Sequence, residues 1–307
     1  MRKWLKSTEC ITFEVADRIA RITLNRPDKR NALSPTLLRE LREAMLEADD
    51  LVDVNVIVLA GAGQDFSAGY DLYSSYGQRK LDAATIAAGG KPQYRSNMGS
   101  LDDGCWNLEH NHQQMRVIFD THKPVIAKVH GNCLTGGTDL ALMCDIVIAA
   151  EDARIGYPAC RSQGSPPHHM WFYQVGPQWA KRLLLTGDSL TGRDAARIGL
   201  VLDAVPPDRL DAEVDALAAR IALVDADLLA CHKRIVNLAM ELAGADTLQR
   251  LAAEMDARAN FSSGPRRAAW KSTMAELGLR AARTARDAPF GDEFIKVYNA
   301  GQTETPL

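Results

Sequence analysis

The chain has 307 residues, enough for a sizeable buried core, with 36 basic against 39 acidic side chains and a formal charge of −3. That balance offers no electrostatic footing for nucleic acid or an anionic membrane surface, and no run reaches the ~18 apolar residues of a spanning helix. The start, MRKWLKSTEC, lacks an apolar segment behind its basic residues, and six cysteines lie scattered without CxxC spacing, so the expectation is a reduced, cytoplasmic protein.

In chain order, Ile11 to Val15 and Ile19 to Leu24 alternate or run apolar around Asp17, the pattern of a hairpin. After NRPDKRNALS, Ser34 and Pro35 form an N-cap followed by proline at the first helical position. Leu37, Leu38, Leu41, Met45 and Ala48 then recur at helical spacing, to an end near Asp49. Val54 to Ala60 is nearly all apolar, as in a strand covered on both faces. Tyr73 to Ser100 loses periodicity and carries Gly89, Gly90, Pro92 and Gly99. A lid over a pocket and a plain surface excursion with a short helix at Asp82 to Ala88 both fit that insertion. A helical pattern resumes from Leu101 to Thr121, and Val125 to Val129 is a buried strand.

Val129 to Arg154, VHGNCLTGGTDLALMCDIVIAAEDAR, organises the rest. An apolar run ends at His130 and enters a turn holding Gly131, Gly136 and Gly137. An apolar helical segment follows from Asp139 to Cys144, which seats backbone N–H groups at a helix N-terminus. Upstream, VIVLAGAGQDFSAGYDL repeats the logic, and two such turns can aim two amides at one oxygen. Beyond lie a strand at Ile146 to Ala149, a Gly/Pro-broken loop from Ile155 to Met170, helices at Gln178 to Leu185 and Gly192 to Ile198, and a strand at Leu200 to Val205. Four helical periods follow, Leu210 to Leu223, Asp227 to Leu242, Thr247 to Asn260 and Pro265 to Arg283. The tail carries Phe290, Phe294 and Tyr298, too apolar for a free end, so docking is expected, with a neighbouring subunit among the seats open to it. The order predicts an α/β body over 1–205, with an insertion at about 73–100, and a helical region with a docking tail over 206–307.

Four stretches, ITLNRPDKRNALS, VIVLAGAGQDFSAGYDL, KPVIAKVHGNCLTGGTDLALMCDIVIAAEDARIGYPA and LLLTGDSLTGRDAARIGLV, resemble in order and spacing the crotonase (enoyl-CoA hydratase/isomerase) superfamily, over roughly Ile11 to Val205. The resemblance implies a spiral of ββα units, a helical trimerisation region giving a homotrimer or dimer of trimers, and acyl-CoA thioesters as substrates. Coenzyme A then enters as part of the substrate, with no permanently bound cofactor and no metal. The resemblance also implies an oxyanion hole made of the amides of Tyr70, in FSAGYDL, and Gly136. Coenzyme A is expected along the NRPDKRNALS loop and the GYDL turn, with Lys29, Arg30, Ala68 and Asp71 as contacts and the two cations toward its phosphates.

The chain also departs from the family. Hydratases that it resembles use two acids; here Asp139 holds the first place and Ala159, in GYPA, the second. Hydration divides its proton transfers between two groups, so isomerisation, relayed hydration, and hydrolysis of a thioester or of a β-keto C–C bond stay open. So does a non-catalytic acyl-CoA-binding scaffold. His112 is placed where the 4-chlorobenzoyl-CoA dehalogenases of this superfamily carry a histidine, but their nucleophilic aspartate is missing from the Pro166, Pro167, His168, His169 loop. His112, His168 and His169 are the candidates to assist Asp139. A metal pair of His110 and His112 is rejected, because i and i+2 do not share a helix face. Cys160 as a nucleophile and Arg161 as a holder of a substrate carboxylate are weaker alternatives, and Tyr70 and Trp171 are candidates to line the acyl end.

Overall fold

The computed structural model describes residues 2–72, 87–90, 94–95 and 100–297. β1 (Ile11–Ala16) and β2 (Ile19–Leu24) form the expected antiparallel hairpin. Helix α1 (Pro35–Asp50) starts where the Ser34 side chain accepts the Leu37 N–H at 3.2 Å, with Pro35 in the first turn. Its buried stripe, Leu37, Leu38, Leu41, Ala44, Met45 and Ala48, follows the helical period. The remaining strands are β3 (Val56–Gly61), β4 (Val125–Val129), β5 (Asn132–Leu134), β6 (Ile146–Ala150), β7 (Arg154–Gly156), β8 (Ser189–Thr191) and β9 (Asp203–Val205). β1-β2-β3-β4-β6-β9 make one sheet, parallel from β2 onward, and β5-β7-β8 make a second, smaller one. In the large sheet β3 is buried from Val56 to Ala60, as its unbroken apolar run requires.

Among the described residues, the α-helices after α1 are α2 (Leu101–Asp120), α3 (Gly136–Met143), α4 (Trp171–Thr186), α5 (Gly192–Arg197), α6 (Leu210–Ala222), α7 (Ala226–Leu242), α8 (Ala245–Asn260) and α9 (Pro265–Asp287). α6 packs on β2, β3, β4 and β6. α8 packs on α2, and α9 packs on a 3-10 turn at Pro158–Arg161, so C-terminal helices close on the glycine-rich half of the chain. Among the described residues no helix is long and apolar enough to cross a membrane.

Four expectations change. β5, β7 and β8 are three residues each, too short for a period of two to show. The helix expected from Gln178 begins at Trp171, interrupted where Gly176 takes φ 69° and ψ 178° ahead of Pro177. The tail docks on its own chain: Ser189 N–H donates to Glu293 O at 2.7 Å, and Ile295 N–H donates to Ser189 O at 2.8 Å. Arg161 holds no substrate group, because its side chain is 1% exposed and grips Asp188, Asp287 and Glu293 while stacking on Phe290. Most of the insertion at 73–100, including residues 82–86 of the short helix expected there, and Tyr298 lie outside the described residues.

Candidate active site

Two turns 66 residues apart in the chain are stitched side by side by their main chains. Ser67 N–H donates to Asn132 O at 2.9 Å, Leu134 N–H returns to Ser67 O at 3.0 Å, and Phe66 N–H donates to His130 O at 2.9 Å. Asp65 secures the second turn by accepting the Asn132 N–H at 2.8 Å. The first turn is fixed from the other side by the NRPDKRN loop. There the fully buried Asn31 donates to Ala62 O at 2.9 Å and Asp65 O at 2.7 Å, and its carbonyl accepts the Ser67 hydroxyl at 2.8 Å.

The glycines are where this contact is closest. A Cβ on Gly69, which sits at φ 97°, would overlap the Thr135 hydroxyl, and a Cβ on Gly136 would lie 3.0 Å from the Tyr70 ring. The Tyr70 ring thus covers the first residue of α3. Thr135, the residue before it, takes φ 53° and ψ −116°, a strained conformation for a side-chain-bearing residue and one that directs the next amide.

Among the described residues, neither of the two expected amides donates to a main-chain oxygen. Leu33 and Tyr70 form a parallel bridge in which Leu33 N–H donates to Gly69 O and Asp71 N–H to Leu33 O, so the Tyr70 amide faces away from that strand. The Gly136 amide belongs to the first turn of α3, whose N–H groups have no acceptor inside the helix. Ala68, by contrast, spends its N–H on Arg30 O at 2.9 Å.

Around these turns lies a cavity of about 390 Å³, lined among others by Arg30, Ala68, Tyr70, Thr135, Ala159 and His168. Asp139 is fully buried in α3 and does not line it. Its link to the cavity is the Tyr70 hydroxyl, 2.8 Å from Asp139 Oδ2 and 3.2 Å from His168 Nδ1. A phenol has one hydrogen, so it donates to one of these neighbours and accepts from the other. His112 stacks on His168 with ring centroids 4.7 Å apart. Asp139 Oδ1, His112 Nδ1 and His168 Nε2 are buried with no hydrogen-bond partner.

Burial sets the protonation of this cluster. It raises the Asp139 carboxyl well above the carboxylate range, outweighing the opposing Tyr70 hydrogen bond, and it raises the Tyr70 phenol together with the nearby Asp139. It lowers His168 to about 3, and it lowers His112 to about 3 with His168 adding to the effect. Burial thus shifts all four groups toward their neutral forms.

Of the candidates named from sequence, Tyr70, Gly136, Asp139, His112 and His168 come together here, and Arg30 and Ala68 line the cavity. Others fall elsewhere. His169 makes none of these contacts, and Lys29 is exposed 4.0 Å from Asp28. Asp71 is held by Arg26 at 3.0 Å, and neither Lys29 nor Asp71 lines the cavity. Trp171 is fully buried away from it. Burial pushes the Cys160 thiol up to about 11, the reverse of what a nucleophile needs. Among the described residues, no group of three His, Cys, Asp or Glu side chains is placed to hold a metal ion. The Tyr70 hydroxyl and Asp256 of α8, which also lines the cavity, were not legible as site groups. A tyrosine in the glycine turn was the one available signal.

A family model of enoyl-CoA hydratase/isomerase matches residues 14–98 and 85–269. A probable enoyl-CoA hydratase of Rhizobium meliloti is 35% identical over 246 residues, covering 79% of this chain and 87% of the relative. A hydroxycinnamoyl-CoA hydratase-lyase of Pseudomonas fluorescens is 32% identical over 200 residues, 64% of this chain and 66% of the relative. Among solved structures, an enoyl-CoA hydratase from Mycobacterium smegmatis superposes with a TM-score of 0.82 at 38% identity, over 93% of this chain and 95% of that one. An enoyl-CoA hydratase/isomerase from Xanthobacter autotrophicus gives 0.80 at 33%, over 92% and 99%.

Proposed function

Because the chain belongs to the enoyl-CoA hydratase/isomerase family of the crotonase superfamily, we propose that it transforms an acyl-CoA thioester through an enolate. The thioester oxygen sits between the amides of Tyr70 and Gly136, each contributing about 3 kcal/mol as negative charge develops on it. The observation that supports this reading is the packing of the Tyr70 ring on Gly136, the first residue of α3. The first turn of α3 adds its positive end.

Protons reach or leave the α-carbon along Asp139, the Tyr70 hydroxyl and His168. Asp139, buried behind the cavity wall, is the store, and Tyr70 and His168 are the groups that face the substrate. Arg30, 68% exposed at the cavity edge, is the proposed phosphate contact, in preference to Lys29. Assembly as a trimer or dimer of trimers belongs to the same proposal. It is supported by exposed Leu228, Ile235, Val236 and Leu242 along α7, and sedimentation of the purified protein tests it.

The chemical test uses butanoyl-CoA in D2O. A saturated thioester cannot add water, so hydrogen exchange at its α-carbon reads enolate formation alone. Wild-type protein exchanges, and Asp139→Asn loses that exchange by ~100-fold or more. Binding of CoA thioesters with no exchange and no turnover on any thioester of a broad panel overturns the reading in favour of a binding scaffold. Release of free CoA would mark hydrolysis.

A further inference from the structure

Helix α2 meets the proton-transfer groups at one turn. Met115 Sδ lies 3.9 Å from the Tyr70 hydroxyl, and the His112 ring stacks on His168. Asn111 and Asn107 continue the Met115 face of the helix at steps of four residues, ~6 Å and ~12 Å along its axis, and both line the cavity. Neither side-chain amide has a hydrogen-bond partner among the described residues. A third polar group joins them from the end of β7. Thr135 N–H donates to Gly156 O at 3.0 Å, which sets the next residue, Tyr157, beside the Gly136 turn. Tyr157 is 3% exposed and lines the cavity, yet its hydroxyl makes no hydrogen bond among the described residues. Burial, and after it Asp139, raises this phenol, which favours the O–H form.

An apolar acyl chain would strip water from these three groups and return nothing, a loss that an oxygen on the substrate avoids. The cations in the lining decide what charge that oxygen can carry, and they are engaged within the protein. Arg154 pairs with Glu293, Arg286 pairs with Asp287 at 2.8 Å, Arg267 donates to Ser162 O at 2.8 Å, and Arg283 has a partner as well. Arg30, at the cavity edge, is the proposed phosphate contact. A carboxylate on the acyl chain would therefore meet only neutral donors, whereas a hydroxyl is matched by them.

We propose that the site selects an acyl group carrying an uncharged oxygen, as in a hydroxyl, on the part of the chain that lies along α2, with Tyr157 and Asn111 as specificity-determining residues. This rests on the enolate reading above, because the proton-transfer turn of α2 fixes where the acyl chain begins.

The test uses saturated CoA thioesters of about six to ten carbons, long enough to reach the two asparagines, in matched unsubstituted, ω-hydroxyl and ω-carboxyl sets. Exchange at the α-carbon in D2O gives kcat/KM for wild type, Tyr157→Phe and Asn111→Leu, with butanoyl-CoA as the short reference. Tyr157→Phe removes an oxygen that no described group holds, so the fold loses no hydrogen bond by it. Wild type is expected to favour the ω-hydroxyl set over the unsubstituted set by ~30-fold or more. Each variant should cut that preference by ~10-fold and leave butanoyl-CoA exchange within ~3-fold of wild type. Equal rates on the two sets in wild type, a preference that survives in either variant, or fastest exchange with the ω-carboxyl set overturns the proposal. So does an equal loss on butanoyl-CoA and the longer chains, which would assign these residues to the coenzyme A end or to the fold. Exchange by wild type without an ω-oxygen preference removes this proposal alone. No exchange by wild type on any thioester, butanoyl-CoA included, removes the enolate reading with it.

Discussion

Tyr70→Phe separates the two duties assigned to one residue. The substitution deletes a single oxygen and leaves both the ring over Gly136 and the main-chain amide in place. What disappears is the 2.8 Å contact to Asp139 Oδ2 and the 3.2 Å contact to His168 Nδ1. Asp139 is fully buried and His168 is 1% exposed, and each already has one polar atom without a partner. A buried group that loses its partner costs about 1–3 kcal/mol, so two of them set a loss of about 2–6 kcal/mol. The cavity beside them has room for water, which holds the loss near the lower end. Thioester affinity should stay within ~3-fold because the amides are untouched, while turnover and α-carbon exchange should fall ~100-fold or more with the relay cut. Urea unfolding, thioester titration and the exchange assay measure the three quantities. Full turnover in Tyr70→Phe would refute the relay, and a matching collapse of affinity would mean that the hydroxyl, not the amide, holds the substrate.

Gly69→Ala tests the contact between the two turns. With φ at 97° and the Thr135 hydroxyl in the way, it should cost at least ~2 kcal/mol and weaken thioester binding, whereas Gly264→Ala, with open space around it, should be near neutral. Wild-type affinity in Gly69→Ala would show that the turns need not touch. The pH dependence of stability follows from His168, whose folded value of about 3 lies below the ~6.5 of an unfolded histidine. Between those values the unfolded chain binds more protons, so stability from this group is lost as pH falls, by up to ~1.4 kcal/mol per pH unit. His112 acts in the same direction, and Asp139, raised above its unfolded value, acts against both. Accordingly, His168→Gln should flatten the rise of unfolding free energy between about pH 4 and 6; an unchanged slope in urea titrations would place the buried titration elsewhere.

Local signals carried the parts of this fold that are local. Ser34 and Pro35 announce α1, and the apolar alternation around Asp17 announces the hairpin, because capping and pleating act within a few residues. The glycine turns are visible in the chain, but their convergence depends on the pairing of Ser67 with Cys133, which no short stretch encodes. Tyr70 is legible as an amide in a motif. The direction of its ring is not, because it depends on the missing side chain of Gly136. Asp256 reads as one more polar residue of an amphipathic helix, and only the packing of α8 on α2 reveals which face meets the cavity. Arg161 looked like a ligand group because an arginine beside a catalytic loop usually is exposed; its three carboxylate partners come from residues 188, 287 and 293.

The seclusion of Asp139 behind Tyr70 bears on how this site would be inhibited. A compound carrying an ammonium group meant to ion-pair with the aspartate would meet an aromatic hydroxyl first, and burial disfavours the charged form of the acid behind it. Selective blockers should instead offer an oxygen anion to the paired amides and a hydrogen-bonding atom to the phenol, a combination that uncharged tips satisfy better than cationic ones.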